Sequence, residues 1–126
     1  MMRANTRVEE LLRQEREAFR EARRIGEVSA AWAALEREHI IGQPYLAAHF
    51  RCHLSMLGFA IELHDWKELR GQILRLLLAP LGNASGRLPV GNTGRSNVSA
   101  FAPMEIPADL SAKIENTSLD AGENFQ

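Results

Sequence analysis

Between Tyr45 and Leu63 the chain is apolar around most of a helical circumference. Only Arg51, Ser55 and Glu62 mark a polar sector. A helix with so little solvent face has to be buried between neighbours. That requirement predicts an assembly of helices arranged around this one. His49 and His53 fall inside the apolar arc, beside Leu46, Met56, Leu57 and Ala60. Two imidazoles spaced i, i+4 lie on one turn and can chelate one transition metal. The alternative is a packing role, with each ring hydrogen-bonded to a carbonyl or carboxylate.

The helix before it adds to this pattern. From Val28 to Ile40 the apolar positions are Val28, Ala31, Trp32 and Leu35. At about 100° per residue, Glu36 lies roughly 40° from Trp32, and His39 about 20° from it on the other side. Both are predicted to point inward. Glu36 and His39 are spaced i, i+3, which lets a carboxylate and an imidazole share one ion. The expected metal ligands are therefore His39, His49, His53 and Glu36. A set rich in imidazole with one carboxylate suits Zn, Ni, Cu or Fe. Only one Glu-x-x-His motif is present, so the expected site is mononuclear. No reaction or catalytic residue follows from these positions.

Two further helices complete the expectation. Thr6 is read as the N-cap of a helix to about Arg24, with Glu9 completing a capping box. Val8, Leu11, Leu12, Ala18, Phe19 and Ala22 form its apolar stripe. Glu15 interrupts that stripe, either paired with an arginine at its margin or turned toward the histidines. Gly26 ends the helix. Asp65 caps a fourth helix to about Ala79, with Trp66, Leu69, Ile73, Leu76 and Leu77 inward and Glu68 and Arg75 outward. Asp65 and Gln72 lie at the edge of that inner face, where they could support the ligands. Pro80 is expected to stop the helix. His64 falls in the turn before it and is not expected to be a ligand.

The expected fold is thus all-α: four antiparallel helices in two hairpins resembling tetratricopeptide hairpins. After Leu81 the composition turns to glycine, asparagine, serine and proline. Residues 81–110 read as an irregular arm of a single domain spanning 1–110. Val98, Phe101, Met104 and Ile106 would pin the arm, and Pro103 and Pro107 would keep it extended. Within it, Gly91, Asn92, Thr93, Gly94 and Arg95 could offer backbone amides and a guanidinium to an anion. They lack the Gly-Lys-Ser/Thr of a phosphate-binding loop. Residues 111–126 read as a disordered acidic tail.

Charge and cysteine content remove several function classes. The net charge is −1, which gives no drive toward nucleic acid. Cys52 is the single cysteine, so no internal disulfide framework forms. The first residues have no apolar signal core, and no apolar run is long enough to span a bilayer. These features predict a cytoplasmic bacterial protein that does not engage membranes.

Three segments carry a resemblance. They are Leu-Glu-Arg-Glu-His-Ile-Ile-Gly-Gln at 35–43, His49-Phe-Arg-Cys-His53 with Met56-Leu57, and Pro-Val-Gly-Asn-Thr-Gly-Arg-Ser-Asn-Val-Ser-Ala-Phe at 89–101. Together they resemble domain-of-unknown-function family 3703, over most of the chain to about Leu110. The resemblance implies a short helical bacterial protein and brings no activity with it. A competing function belongs to another class. Two hairpins fall short of the three or more repeats of a stable array, so a metal-free adaptor would dimerise or dock on a protein partner. Arg13, Arg20 or Arg51 would then line a groove, and the histidines would be core packing.

Overall fold

The computed structural model describes residues 3–123, with side chains through residue 116. The described residues form five helices and no strand: α1 (Thr6–Ile25), α2 (Val28–Gly42), α3 (Leu46–Glu62), α4 (Trp66–Ser85) and α5 (Ala108–Glu123). α1 packs on α2, α3 on α4, and α2 on α3, which joins the two hairpins.

The local signals explain most boundaries. The N-cap of α1 is Asn5 rather than Thr6: its side chain accepts the Val8 N–H at 2.9 Å. Gly26 closes α1 in a left-handed conformation, with φ of +79°. That region costs other residues a Cβ clash. Asp65 caps α4 by accepting the Glu68 N–H at 3.1 Å. His64 precedes it with φ of +55° and ends the α3–α4 turn.

Two apolar clusters hold the bundle. One joins Trp32 and Leu35 of α2 to Cys52, Met56 and Phe59 of α3, with Phe19 of α1 edge-on to Phe59 at 5.3 Å. The other joins Val8 and Leu12 of α1 to Ile40, Ile41, Ala48 and Leu110. Leu110 belongs to α5, a helix in a stretch expected to be the end of an arm and a polar tail. Arg37 ties α5 down further, bonding Asp109 at 2.9 Å and Glu15 at 2.9 Å. Glu15 is thus a paired carboxylate at the α1–α2 seam.

α4 departs most from its hydropathy. Its buried residues are Glu68, Gln72, Arg75 and Ala79, while Trp66, Ile73, Leu74 and Leu77 are exposed, Leu77 to 73%. Of the expected inner face, Trp66, Ile73 and Leu77 are outside, Leu69 packs on the Trp32 cluster and Leu76 is half-buried, while the expected outer residues Glu68 and Arg75 are inside. Polar groups accept burial only when hydrogen-bonded, and this helix has such partners in α3 and the arm. Nor does Pro80 stop it. The helix runs on to Ser85 and closes at Gly86, φ +71°. An interior proline costs about 3 kcal/mol. The turn beyond it regains contacts through Asn83, whose amide donates to the Gln43 carbonyl at 2.8 Å.

The arm is fastened by polar groups rather than by the expected apolar pins. Phe101 is exposed, and Ile106 alone of the four packs on a core cluster. Asn92 is buried and gathers residues 92–102: its amide donates to the Ser99 and Ala102 carbonyls at 2.8 and 2.7 Å, and its side-chain oxygen accepts the Gly94 N–H at 2.9 Å.

Candidate metal centre

One helix turn of α3 carries His49 and His53 to the same face, and α2 brings His39 against them. The three rings meet with centroids 4.7 to 4.9 Å apart, all buried. Nε2 of His53 lies 3.1 Å from Nε2 of His39 and 3.1 Å from Nε2 of His49. The group could hold a metal ion.

The opposite nitrogens decide what those contacts are. His39 Nδ1 lies 2.7 Å from the Asn92 carbonyl oxygen, which can only accept. His53 Nδ1 lies 2.7 Å from the Gln72 side-chain oxygen. The Gln72 amide nitrogen faces the Glu68 carboxylate and the Gly94 carbonyl, at 3.0 and 2.9 Å, so its oxygen must face the ring. His49 Nδ1 lies 2.7 Å from the Asn83 side-chain oxygen. The Asn83 amide is likewise oriented by its bond to the Gln43 carbonyl. Each ring therefore carries its proton on Nδ1 and presents a bare Nε2 lone pair. Three lone pairs converge with no donor between them. Such an arrangement repels itself unless a cation or a hydrogen-bond donor sits among the rings, and the acceptors on Nδ1 are of the kind that ligating histidines use.

Burial sets the protonation of the group. It pushes His39 well below the ordinary imidazole range, and the neighbouring rings push the same way. His53 is lowered to about 4, chiefly by burial and against the Gln72 bond. His49 is lowered by burial and partly restored by Asn83. All three are neutral near pH 7, the state that binds a metal.

The arm reaches the rings through glycine. Gly94 has φ of +80°, and a Cβ there would stand 2.5 Å from the His39 ring. Gly71 plays the same part on α4, where a Cβ would lie 2.2 Å from that of Ser96. Beneath this contact Glu68 is 3% exposed. It accepts from Gln72, from Arg95 Nε at 2.9 Å, and from the Ser96 amide and hydroxyl. Burial raises its proton affinity, but these bonds outweigh it and keep the carboxyl below its ordinary value.

Of the expected ligands, His39, His49 and His53 come together and Glu36 does not join them. Its carboxylate turns to Arg95, 3.3 Å away, and Arg95 stacks 3.7 Å over the Trp32 ring. Glu36 and His39 stand on opposite sides of the Trp32 position, roughly 60° apart around α2, and Arg95 engages Glu36. Gln72 does reach the group, its side-chain oxygen accepting from His53 Nδ1. Asp65 serves as the α4 cap, and Glu15 pairs with Arg37. The Gly91–Arg95 segment positions His39 through Asn92 and Gly94, and Arg95 is already engaged with Glu68 and Glu36. Sequence reasoning missed Asn83, Glu68 and Arg75. An asparagine one turn past a proline looked like loop, and Glu68 and Arg75 lie opposite the apolar stripe of α4.

Above the histidines lies a cavity of about 390 Å³. Its walls include Leu78, Leu81, Leu88 and Phe101, and Arg75 lines it alongside the three rings. The site thus has a closed side made of helices and an open side facing an apolar chamber.

A family model described as "Protein of unknown function (DUF3703)" matches residues 6–114. The chain belongs to this family. No match was found among curated proteins, and none among solved structures. The matched span of the DUF3703 member contains the three histidines, their three acceptors and Arg75. Among the described residues no helix is long and apolar enough to cross a membrane.

Proposed function

We propose that this protein binds one divalent transition-metal ion through His39, His49 and His53, with the remaining coordination positions open to the cavity. One observation carries the reading: three Nε2 atoms converge while each Nδ1 donates to an oxygen that cannot donate back. For His53 with each of its two neighbours the spacing is compatible with such an ion. Two nitrogens 3.1 Å apart, each about 2.0–2.1 Å from a common metal, subtend roughly 100° there. Three imidazoles favour Zn, Cu, Ni or Fe over Mg or Ca. They are neutral ligands, so a divalent ion keeps its charge and would act as a strong Lewis acid toward a molecule in the cavity. A ligand-binding or catalytic site uses an open position in this way, whereas a structural zinc site is closed by four protein ligands.

The metal-free adaptor reading makes the histidines ordinary packing. It leaves three buried acceptors facing one another, an arrangement that costs free energy without return. Elemental analysis of untagged protein tests the choice. About one transition-metal ion per chain is expected, with a melting temperature that falls on chelation. Metal at background level together with an unchanged melting temperature would sink the proposal.

A further inference from the structure

Arg75 is the buried cation that the metal reading leaves unexplained. It is 8% exposed and lines the cavity shared by the three histidines. One terminal nitrogen donates to the Gly71 carbonyl at 3.2 Å and the other to the Val98 carbonyl at 2.6 Å. Its Nε–H is buried and has no acceptor among the described residues. No carboxylate among them lies within ion-pair distance of its guanidinium. Glu68, which acts on Arg75 from further away, is occupied by Arg95, Ser96 and Gln72. A buried charge without a counter-charge is costly and is seldom kept without a use. Arg75 also stands close enough to His39 and His53 to lower their proton affinity. A divalent ion on three neutral imidazoles would add to this positive charge, and no carboxylate among the described residues joins the histidine group.

The rest of the cavity has the opposite character. Leu78, Leu81, Leu88, Pro89 and Phe101 surround the charged floor. Such walls disfavour a strongly hydrated ion and reward apolar surface. We infer that the cavity takes a small monocarboxylate with an apolar tail, its carboxylate held by Arg75 beside the three histidines and its tail against the leucines. The inference rests on the proposed metal site in one respect: the metal supplies the carboxylate's second contact.

The test uses the full chain, Co(II) as the metal and hexanoate as the probe. Hexan-1-ol and inorganic phosphate serve as controls for tail and charge. Co(II) uptake is measured first, by elemental analysis and visible spectrum. Hexanoate is expected to bind the Co(II) protein, change its spectrum, and bind at least about tenfold more tightly than either control. Arg75→Gln should lose about tenfold or more of that affinity, and Arg75→Lys less. Should Arg75→Gln fail to fold, Leu88→Trp fills the chamber while sparing Arg75 and the histidines, and should also abolish binding. Uptake of Co(II) with no preference for hexanoate over hexan-1-ol overturns the inference and leaves the metal site standing. If Co(II) is not taken up, the metal reading fails by itself. Hexanoate binding to the metal-free protein that is lost in Arg75→Gln then still supports the cavity assignment, and its absence overturns that assignment.

Discussion

α1 and α4 are both 20 residues long, and they treat their interiors in opposite ways. α1 buries Val8, Leu12 and Ala22, and its charges remain at the surface or pair at the seam with α2. α4 buries Glu68, Gln72 and Arg75 and leaves Ile73, Leu74 and Leu77 exposed. The interior of α1 follows from removing apolar area from water, a force with no direction. The interior of α4 is directional: Glu68 and Gln72 are fully hydrogen-bonded and lead to His53, while Arg75 keeps one buried N–H without an acceptor among the described residues. The difference separates the half of the bundle that supplies stability from the half that supplies a site.

The sharpest way to break the comparison is at the site. His53→Ala removes the nitrogen that touches both other Nε2 atoms, so stoichiometric metal uptake should vanish, together with the rise in melting temperature on adding metal. Full uptake by the variant would show that the ligands lie elsewhere. Leu12→Ala probes the other half. Leu12 is wholly buried, so the loss should be about 2–5 kcal/mol of unfolding free energy. Its folded fraction should bind metal at the wild-type stoichiometry, and denaturant titration with metal analysis reads both quantities.

Gln72→Leu keeps the volume and removes the acceptor of His53 Nδ1. Supporting partners of this kind are worth about 10–100-fold in metal affinity, so competition against a chelator should show a loss in that range. An unchanged affinity would mean that the polar lining of α4 is packing after all.

The pH response is smaller near neutrality and has a definite sign. His53 titrates at about 4 in the folded chain against an ordinary 6.5. The unfolded chain therefore binds more protons between these values, and stability rises with pH across that window. The metal-free protein should keep its full stability above pH 6.5 and lose it as pH falls toward 4. Metal affinity should hold at pH 6, where exposed imidazoles would already be largely protonated. A steep loss between pH 7 and 6 would contradict the buried, neutral cluster. The smallest effect is expected at His64, an exposed turn residue outside the cluster. His64→Ala should change stability by less than about 1 kcal/mol and leave metal uptake untouched.

Local spacing along the chain sufficed for the first four helices and the histidine triad. Helical periodicity depends on neighbours three and four residues apart, so the placement of His49 with His53, and of His39 on the inner face of α2, was legible from local spacing. The caps at Gly26 and Asp65 were legible for the same reason. The acceptors that fix the tautomers of the triad were not. They come from residues 53, 34 and 19 positions away in the chain. One of them is a backbone carbonyl, which every residue type carries, so no pattern of side chains marks it. Tertiary structure alone decided that Glu36 turns to Arg95 and that α4 buries its polar face. It also decided that the chain continues helically past Pro80 and that a fifth helix docks Leu110. In each case a long-range hydrogen bond or a buried contact outweighed a local preference, and hydropathy along the chain records only the preference.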